Sequence, residues 1–154
     1  MYPVLPFAVN YDIVVAVGFR EDGEGKVRVA NTDDGFDDGE FPAAPIVGKD
    51  EAGNTKMVRK EGDEAHWWQY VQCGQSGAFE AATDAGSVPD ALGLNLLIEG
   101  DVPKAGGLSS SSALVVASTL AFARAHEIKL TTTQLGHAAW KCEAKIGTMG
   151  GGMD

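Results

Sequence analysis

At 154 residues, 44% of them hydrophobic and 22% charged, the chain has enough apolar surface for one packed domain and too little length for two. The same composition disfavours disorder, because burial of that surface offsets the entropy of ordering the backbone. A formal net charge of −10 argues against nucleic acid and against an anionic membrane as partners, since both reward a basic face.

The chain opens with Met1-Tyr2-Pro3-Val4-Leu5-Pro6, which has no basic region and two prolines and so is not a secretory signal. Asp12-Ile13-Val14-Val15-Ala16-Val17 is β-branched and reads as a strand. Lys26-Val27-Arg28-Val29-Ala30 alternates polar and apolar, and the intervening Gly23-Glu24-Gly25 predicts a hairpin that pairs the two. Residues 31–63 show no strong period and are rich in Pro, Gly and acids, as in Asp33-Asp34-Gly35-Phe36-Asp37-Asp38-Gly39-Glu40. That composition predicts a solvated surface excursion; a calcium loop is the alternative, but the ligand spacing of a known loop is missing. A helix follows over 64–83 with Trp68, Val71 and Phe79 inward, locally weakened by Gly74 and Gly77.

Residues 93–100 read as another strand, and a loop of glycines and serines leads from it into a helix over 110–126. The apolar run 113–123 in that helix is too short to span a bilayer. Thr131 and Gln134 form a capping box, after which Leu135, Ala138, Ala139, Cys142 and Ile146 define one buried helical face ending at Gly147. Cys73 and Cys142 both fall in helical segments among apolar neighbours and read as reduced core thiols of a cytosolic protein. The order of elements gives an α/β (α+β) domain without repeats or linker.

Chemistry concentrates in Gly100-Asp101-Val102-Pro103-Lys104-Ala105-Gly106-Gly107-Leu108-Ser109-Ser110-Ser111-Ser112-Ala113. The loop leaves a strand, crosses two glycines and enters a helix at a run of hydroxyls. Gly106 and Gly107 allow close backbone approach, and the helix start offers free N–H groups and a partial positive charge to an anion. A serine hydroxyl is also a hard oxygen ligand for Mg²⁺. A P-loop is excluded, because Gly106 is followed by Gly107 and not by Lys. No Gly-x-Gly-x-x-Gly opens a helix here, and the Gly-x-Ser-x-Gly elbow of serine hydrolases is missing. From spacing alone, a phosphate cradle and a plain serine N-cap both remain open.

Pro103-x-x-x-Gly107-Leu108-Ser109-Ser110-Ser111-Ser112-Ala113 resembles the second signature of the galactokinase, homoserine kinase, mevalonate kinase and phosphomevalonate kinase (GHMP) superfamily. Val4-Leu5-Pro6-Phe7-Ala8-Val9, Ala30-Asn31-Thr32, Trp68-x-Tyr70-x-x-x-Gly74 and Gly147-Thr148-Met149-Gly150-Gly151-Gly152-Met153-Asp154 are similar, in order, to segments of galactokinases and N-acetylgalactosamine kinases. The resemblance implies an N-terminal GHMP kinase domain, of the ribosomal protein S5 domain 2-like fold. The domain is incomplete, because the sugar-binding signature (an Arg, then Glu-His-x-Asp) and the C-terminal domain are missing from residues 1–154. It implies ATP-dependent phosphorylation of galactose or N-acetylgalactosamine at C1 with Mg²⁺, in a cytoplasmic protein; the oligomeric state is left open, with a monomer favoured, and the charge already speaks against nucleic-acid and membrane partners.

Residue by residue, the resemblance makes Gly106, Gly107, Leu108, Ser109, Ser110 and Ser111 the phosphate-binding loop. Ser111 and Glu143 become the Mg²⁺ ligands, and Asp154 the base beside the C1 hydroxyl. Glu143 otherwise reads as a surface glutamate near Lys141 and Lys145, although residues two apart on a helix do not face each other. Lys104 adds charge near the phosphates or is solvated. His66, His126 and His137 lack metal-ligand spacing, and Trp67, Trp68 and Trp140 read as core anchors. A partial chain of this kind is expected to be inactive alone. The rival from another class is a sugar and ATP sensor without turnover, against which the intact Ser112-Ala113 speaks.

Overall fold

A computed structural model describes residues 8–59, 62–104 and 106–147. Its sheet is organised around β4 (Leu94–Gly100), whose Leu94, Leu96 and Ile98 are buried while Asn95, Leu97 and Glu99 face out. The strand order is β1-β4-β2-β3, with β1 at Ile13–Phe19, β2 at Lys26–Asn31 and β3 at Gly39–Pro42. β4 runs antiparallel to β1, from Ile13 opposite Gly100 to Phe19 opposite Leu94, and parallel to β2, with Val29 opposite Leu96.

The hairpin expected between β1 and β2 therefore does not form, because β4 lies between them. Its apolar residues fill the centre of the core, so β1 and β2 gain more by flanking β4 than by pairing with each other. The real hairpin is β2 with β3, where Val27 meets Phe41. Residues 31–63 are thus not wholly a surface excursion: Phe41 and Ala43 join the core with Val27, Val29, Leu96 and Phe122.

Three helices cover the inner face of the sheet: α1 (Trp68–Asp84), α2 (Ser110–Ala125) and α3 (Thr132–Glu143), the last continuing into a 3-10 turn over Ala144–Ile146. Gly147, at φ +87°, closes that turn. The capping box at α3 is complete, with Thr131 and Gln134 exchanging side-chain and backbone hydrogen bonds. None of the described helices is long and apolar enough to cross a membrane. Cys73 and Cys142 are free and buried, and burial pushes the Cys142 thiol up to about 12 and that of Cys73 higher still, so neither is a nucleophile at neutral pH. Trp68 stacks on Phe41 as an anchor, whereas Trp140 is 45% exposed and is no core residue. It sits on the outer face of α3, one position past the buried pair Ala138 and Ala139.

Gly74 and Gly77 mark close helix contacts. A Cβ on Gly74 would lie 2.5 Å from Ser118 Cβ and 2.8 Å from the Thr119 backbone nitrogen, and one on Gly77 would lie 3.0 Å from the Ala138 carbonyl oxygen. At Gly136 of α3 nothing lies within 4 Å. Gly74→Ala is therefore expected to lose about 1–3 kcal/mol, since backbone cannot yield as a side chain does. Gly136→Ala is expected to gain about 0.5–1 kcal/mol from helix propensity alone. Urea denaturation of both variants checks the opposite signs.

His126 ties the end of α2 to the segment before β4. Its Nδ1–H donates to the Phe122 carbonyl at 2.9 Å and its Nε2 accepts from the Leu92 N–H at 3.2 Å. Burial pushes the imidazole below its ordinary 6.5, and the Phe122 carbonyl recovers only part of that. The unfolded chain thus takes up a proton more readily than the fold, and stability falls as pH drops below about 6.5. His126→Gln should flatten part of the decline in melting temperature between pH 7 and 5.

Candidate active site

β4 delivers the chain straight into the serine loop, and the loop's backbone has the shape of an anion cradle. Gly107 at φ +71° and Ser109 at φ +53° both take left-handed conformations, which turn successive N–H groups toward one side. The first backbone bond into α2 runs from the Ala113 N–H to the Ser109 carbonyl at 3.0 Å. The N–H groups ahead of it have no intrahelical partner. Ser109 makes no side-chain capping bond among the described residues, unlike Thr131 at α3. The plain N-cap reading of the serines is therefore not what this helix start displays.

Ser110 and Ser111 open onto a cleft of about 250 Å³ between the sheet, the start of α1 and the start of α2. Phe36, Trp67 and Tyr70 form its aromatic wall, Ile98 and Gly100 its floor, and Lys104 stands at its edge. Trp67 is held by its indole N–H, which donates to the Asp37 carbonyl at 2.7 Å, and its ring lies 5.3 Å from that of Phe36. The acidic segment is accordingly folded over the cleft. Asp33 accepts from the Gly35 N–H at 2.8 Å and pairs with Lys104 Nζ at 2.9 Å.

Glu143 is 5% exposed, so the surface-glutamate reading fails. The lysines two residues to either side look elsewhere: Lys141 on α3 lies 3.9 Å from Asp84, and Lys145 in the 3-10 turn lies 2.5 Å from Glu80. Instead the Ser112 hydroxyl donates to the Glu143 carboxylate, 2.8 Å from Oε2 and 3.0 Å from Oε1. Among the described residues this one hydroxyl is the sole hydrogen-bond donor to a buried carboxylate. Carboxylate and hydroxyl oxygens are the hard donors that hold a hard cation. No group of three or more His, Cys, Asp or Glu gathers among the described residues. The donor set is one carboxylate with hydroxyls, which fits Mg²⁺ completing its shell with phosphate and water.

Lys145 anchors the other side of the same turn. Its ammonium, 1% exposed, also donates to the Ile46 carbonyl at 2.8 Å, while the Lys145 carbonyl accepts from Val58 N–H at 3.0 Å. Glu80 accepts in addition from Gly48 N–H at 3.1 Å and from the Cys142 thiol at 3.4 Å.

The structure thus brings Ser110, Ser111 and Lys104 to one cleft and joins Ser112 to Glu143. Asp154 lies outside the described residues, as do Ala105 and residues 1–7 and 148–153. Sequence reasoning missed the Ser112 contact, the cleft wall of Phe36, Trp67 and Tyr70, and the Lys145–Glu80 pair. The first was readable in helical phase, because Ser112, Val115, Thr119 and Phe122 share the buried face of α2.

The galactokinase of Dictyostelium discoideum is 31% identical over 153 residues, and that of Candida albicans 32% over 155. Each alignment takes in 99% of this chain, which spans about 28% of the length of either relative. Among solved structures, Lactococcus lactis galactokinase complexed with galactose superposes with a TM-score of 0.68 at 25% identity, covering 95% of this chain and 33% of that one. Methanococcus jannaschii mevalonate kinase shares the fold alone, at a TM-score of 0.59 and 16% identity over 88% of this chain and 38% of that one. The profile of the GHMP kinase N-terminal domain matches residues 70–154, more than half of the chain and the part that carries α1, β4, the serine loop and Glu143, and the chain belongs to the GHMP kinases.

Proposed function

We propose that this chain is the nucleotide-binding part of a cytoplasmic sugar kinase that moves the γ-phosphoryl group of ATP to the C1 hydroxyl of galactose or N-acetylgalactosamine. The observation that carries the reading is the buried Glu143 carboxylate, served by the single hydroxyl of Ser112 at the uncapped start of α2. The Ser112 hydroxyl and the Glu143 carboxylate are hard oxygen donors close to the free amides of a helix start, the kinds of group that bind a metal and phosphates. The aromatic cleft beside Ser110 and Ser111 is of a size and character to hold a purine.

In this reading Gly106, Gly107, Leu108, Ser109 and Ser110 bind the phosphates through backbone N–H and hydroxyl groups. Glu143 holds Mg²⁺ with the hydroxyls of Ser111 and Ser112, and the ion supplies charge neutralisation between the phosphates. Asp154 holds the sugar hydroxyl in line and accepts its proton. Phosphoryl transfer depends on positioning and charge stabilisation, so an ordinary carboxylate serves. Because the chain spans about 28% of the length of its galactokinase relatives, we expect it to be inactive alone.

The test is sugar 1-phosphate formation by the full-length parent, with galactose and N-acetylgalactosamine compared, and by the 154-residue chain. Turnover by the parent and none by the chain supports the reading. A parent that binds ATP without consuming it is a sensor, and turnover by the chain alone sinks the claim that it is inactive.

A further inference from the structure

We propose that Asp33 competes with the nucleotide for Lys104: without ligand the ammonium rests on the Asp33 carboxylate, and a bound polyphosphate takes it over. The inference rests on the nucleotide reading above and adds to it an internal competitor at the same site.

Among the described residues lining the cleft, Lys104 is the sole cation, and it shares that lining with Ser110 and Ser111. It belongs to the loop that turns at Gly107, the segment that carries the phosphates in the nucleotide reading. Lys104 Nζ lies 2.9 Å from Asp33 Oδ2 and 3.7 Å above the centroid of the Phe36 ring. Phe36 is itself part of the cleft wall.

This contact is built to be exchanged. The two side chains are 60% and 54% exposed, so water screens them and the pair contributes little to the fold. A triphosphate offers several negative charges and charge-assisted acceptors where Asp33 offers one carboxylate. The rest of the segment keeps its place in the cleft wall, because Trp67 holds the Asp37 carbonyl at 2.7 Å and Asn31 accepts from the Asp33 N–H at 2.9 Å.

Calorimetric titration of the chain with Mg·ATP, and with adenosine as an uncharged control, tests the exchange in wild type, Asp33→Asn, Lys104→Met and the double variant. Asp33→Asn should tighten ATP binding about threefold, because removal of an exposed partner frees Lys104, and should leave adenosine unchanged. Lys104→Met should weaken ATP about fivefold, and the double variant should match Lys104→Met. ATP binding indifferent to Asp33→Asn overturns the proposal. So does tightening that persists in the Lys104→Met background, which marks a general effect of removing negative charge. A wild-type chain that binds no ATP overturns the nucleotide reading and the exchange together.

Discussion

Glu143→Gln is expected to lower phosphoryl transfer by the full-length parent about 10²- to 10³-fold, as loss of one preorganised electrostatic group does in other enzymes. It should at the same time stabilise the free chain. The carboxylate is buried and, among the described residues, the Ser112 hydroxyl alone donates to it. The gain should be about 1 kcal/mol, because an acid costs more to bury than an amide of the same shape. Ser112→Ala should act with the opposite sign, costing about 1–3 kcal/mol by stripping the carboxylate of its donor. Thermal melts with and without Mg·ATP read both effects. Wild type should gain melting temperature on ligand addition and Glu143→Gln should not. A Glu143→Gln chain that retains the Mg²⁺-dependent shift would remove Glu143 from the site.

Lys145→Met should be the most destabilising single change outside the apolar core, at about 3–5 kcal/mol, because it leaves the Glu80 carboxylate in the interior without its cation. The lysine side chain is 1% exposed and that of Glu80 15%, so neither charge recovers much solvation when the other is lost. Replacing both, as Lys145→Met with Glu80→Leu, should restore most of the loss, since the two charges are costly singly and nearly neutral as a pair. Denaturant midpoints at an unchanged slope would establish this. Burial works to raise the Glu80 carboxyl, but the Lys145 ammonium and the Gly48 N–H overcome it and hold the group below its ordinary 4.5. A depressed carboxyl contributes stability that is present above the unfolded value of 4.5 and is lost as pH falls through the lower folded one. The wild type should therefore lose stability in that acid range, and the double variant should lose less. The turn that Lys145 fixes follows directly on Glu143, so the single variant should also weaken Mg·ATP binding.

Helix identity was legible in the sequence because the signals were local. The capping box at Thr131, the small-residue helix after the serines and the apolar face through Cys142 all stand where periodicity put them. The serine loop was legible as a motif, and its physical character follows from glycines and hydroxyls at a helix start. Strand pairing was not, because Gly23 and Gly25 describe a turn without saying which strands flank it in space. That choice depended on β4, some seventy residues later in the chain, being apolar enough to take both neighbours. Gly74 looked like a defect when judged by propensity and proved to be a point of contact, which only the Ser118 backbone reveals. The hydroxyl that meets Glu143 was hidden by redundancy, since four serines in a row give composition no means of choosing among them.

The central place of β4 also governs how the chain is made. Ile13 must wait for Gly100, and Phe19 for Leu94, before β1 has any partner at all. At about 5–20 residues per second a ribosome takes several seconds to cover that stretch. During this interval Ile13-Val14-Val15-Ala16-Val17 is an unpaired apolar strand, open to chaperones and to other nascent chains. The β2–β3 hairpin has no such delay and is complete once Pro42 has emerged. Arrested nascent chains ending before residue 94 should therefore bind a holdase through the β1 segment, and those extending well past residue 100 should release it.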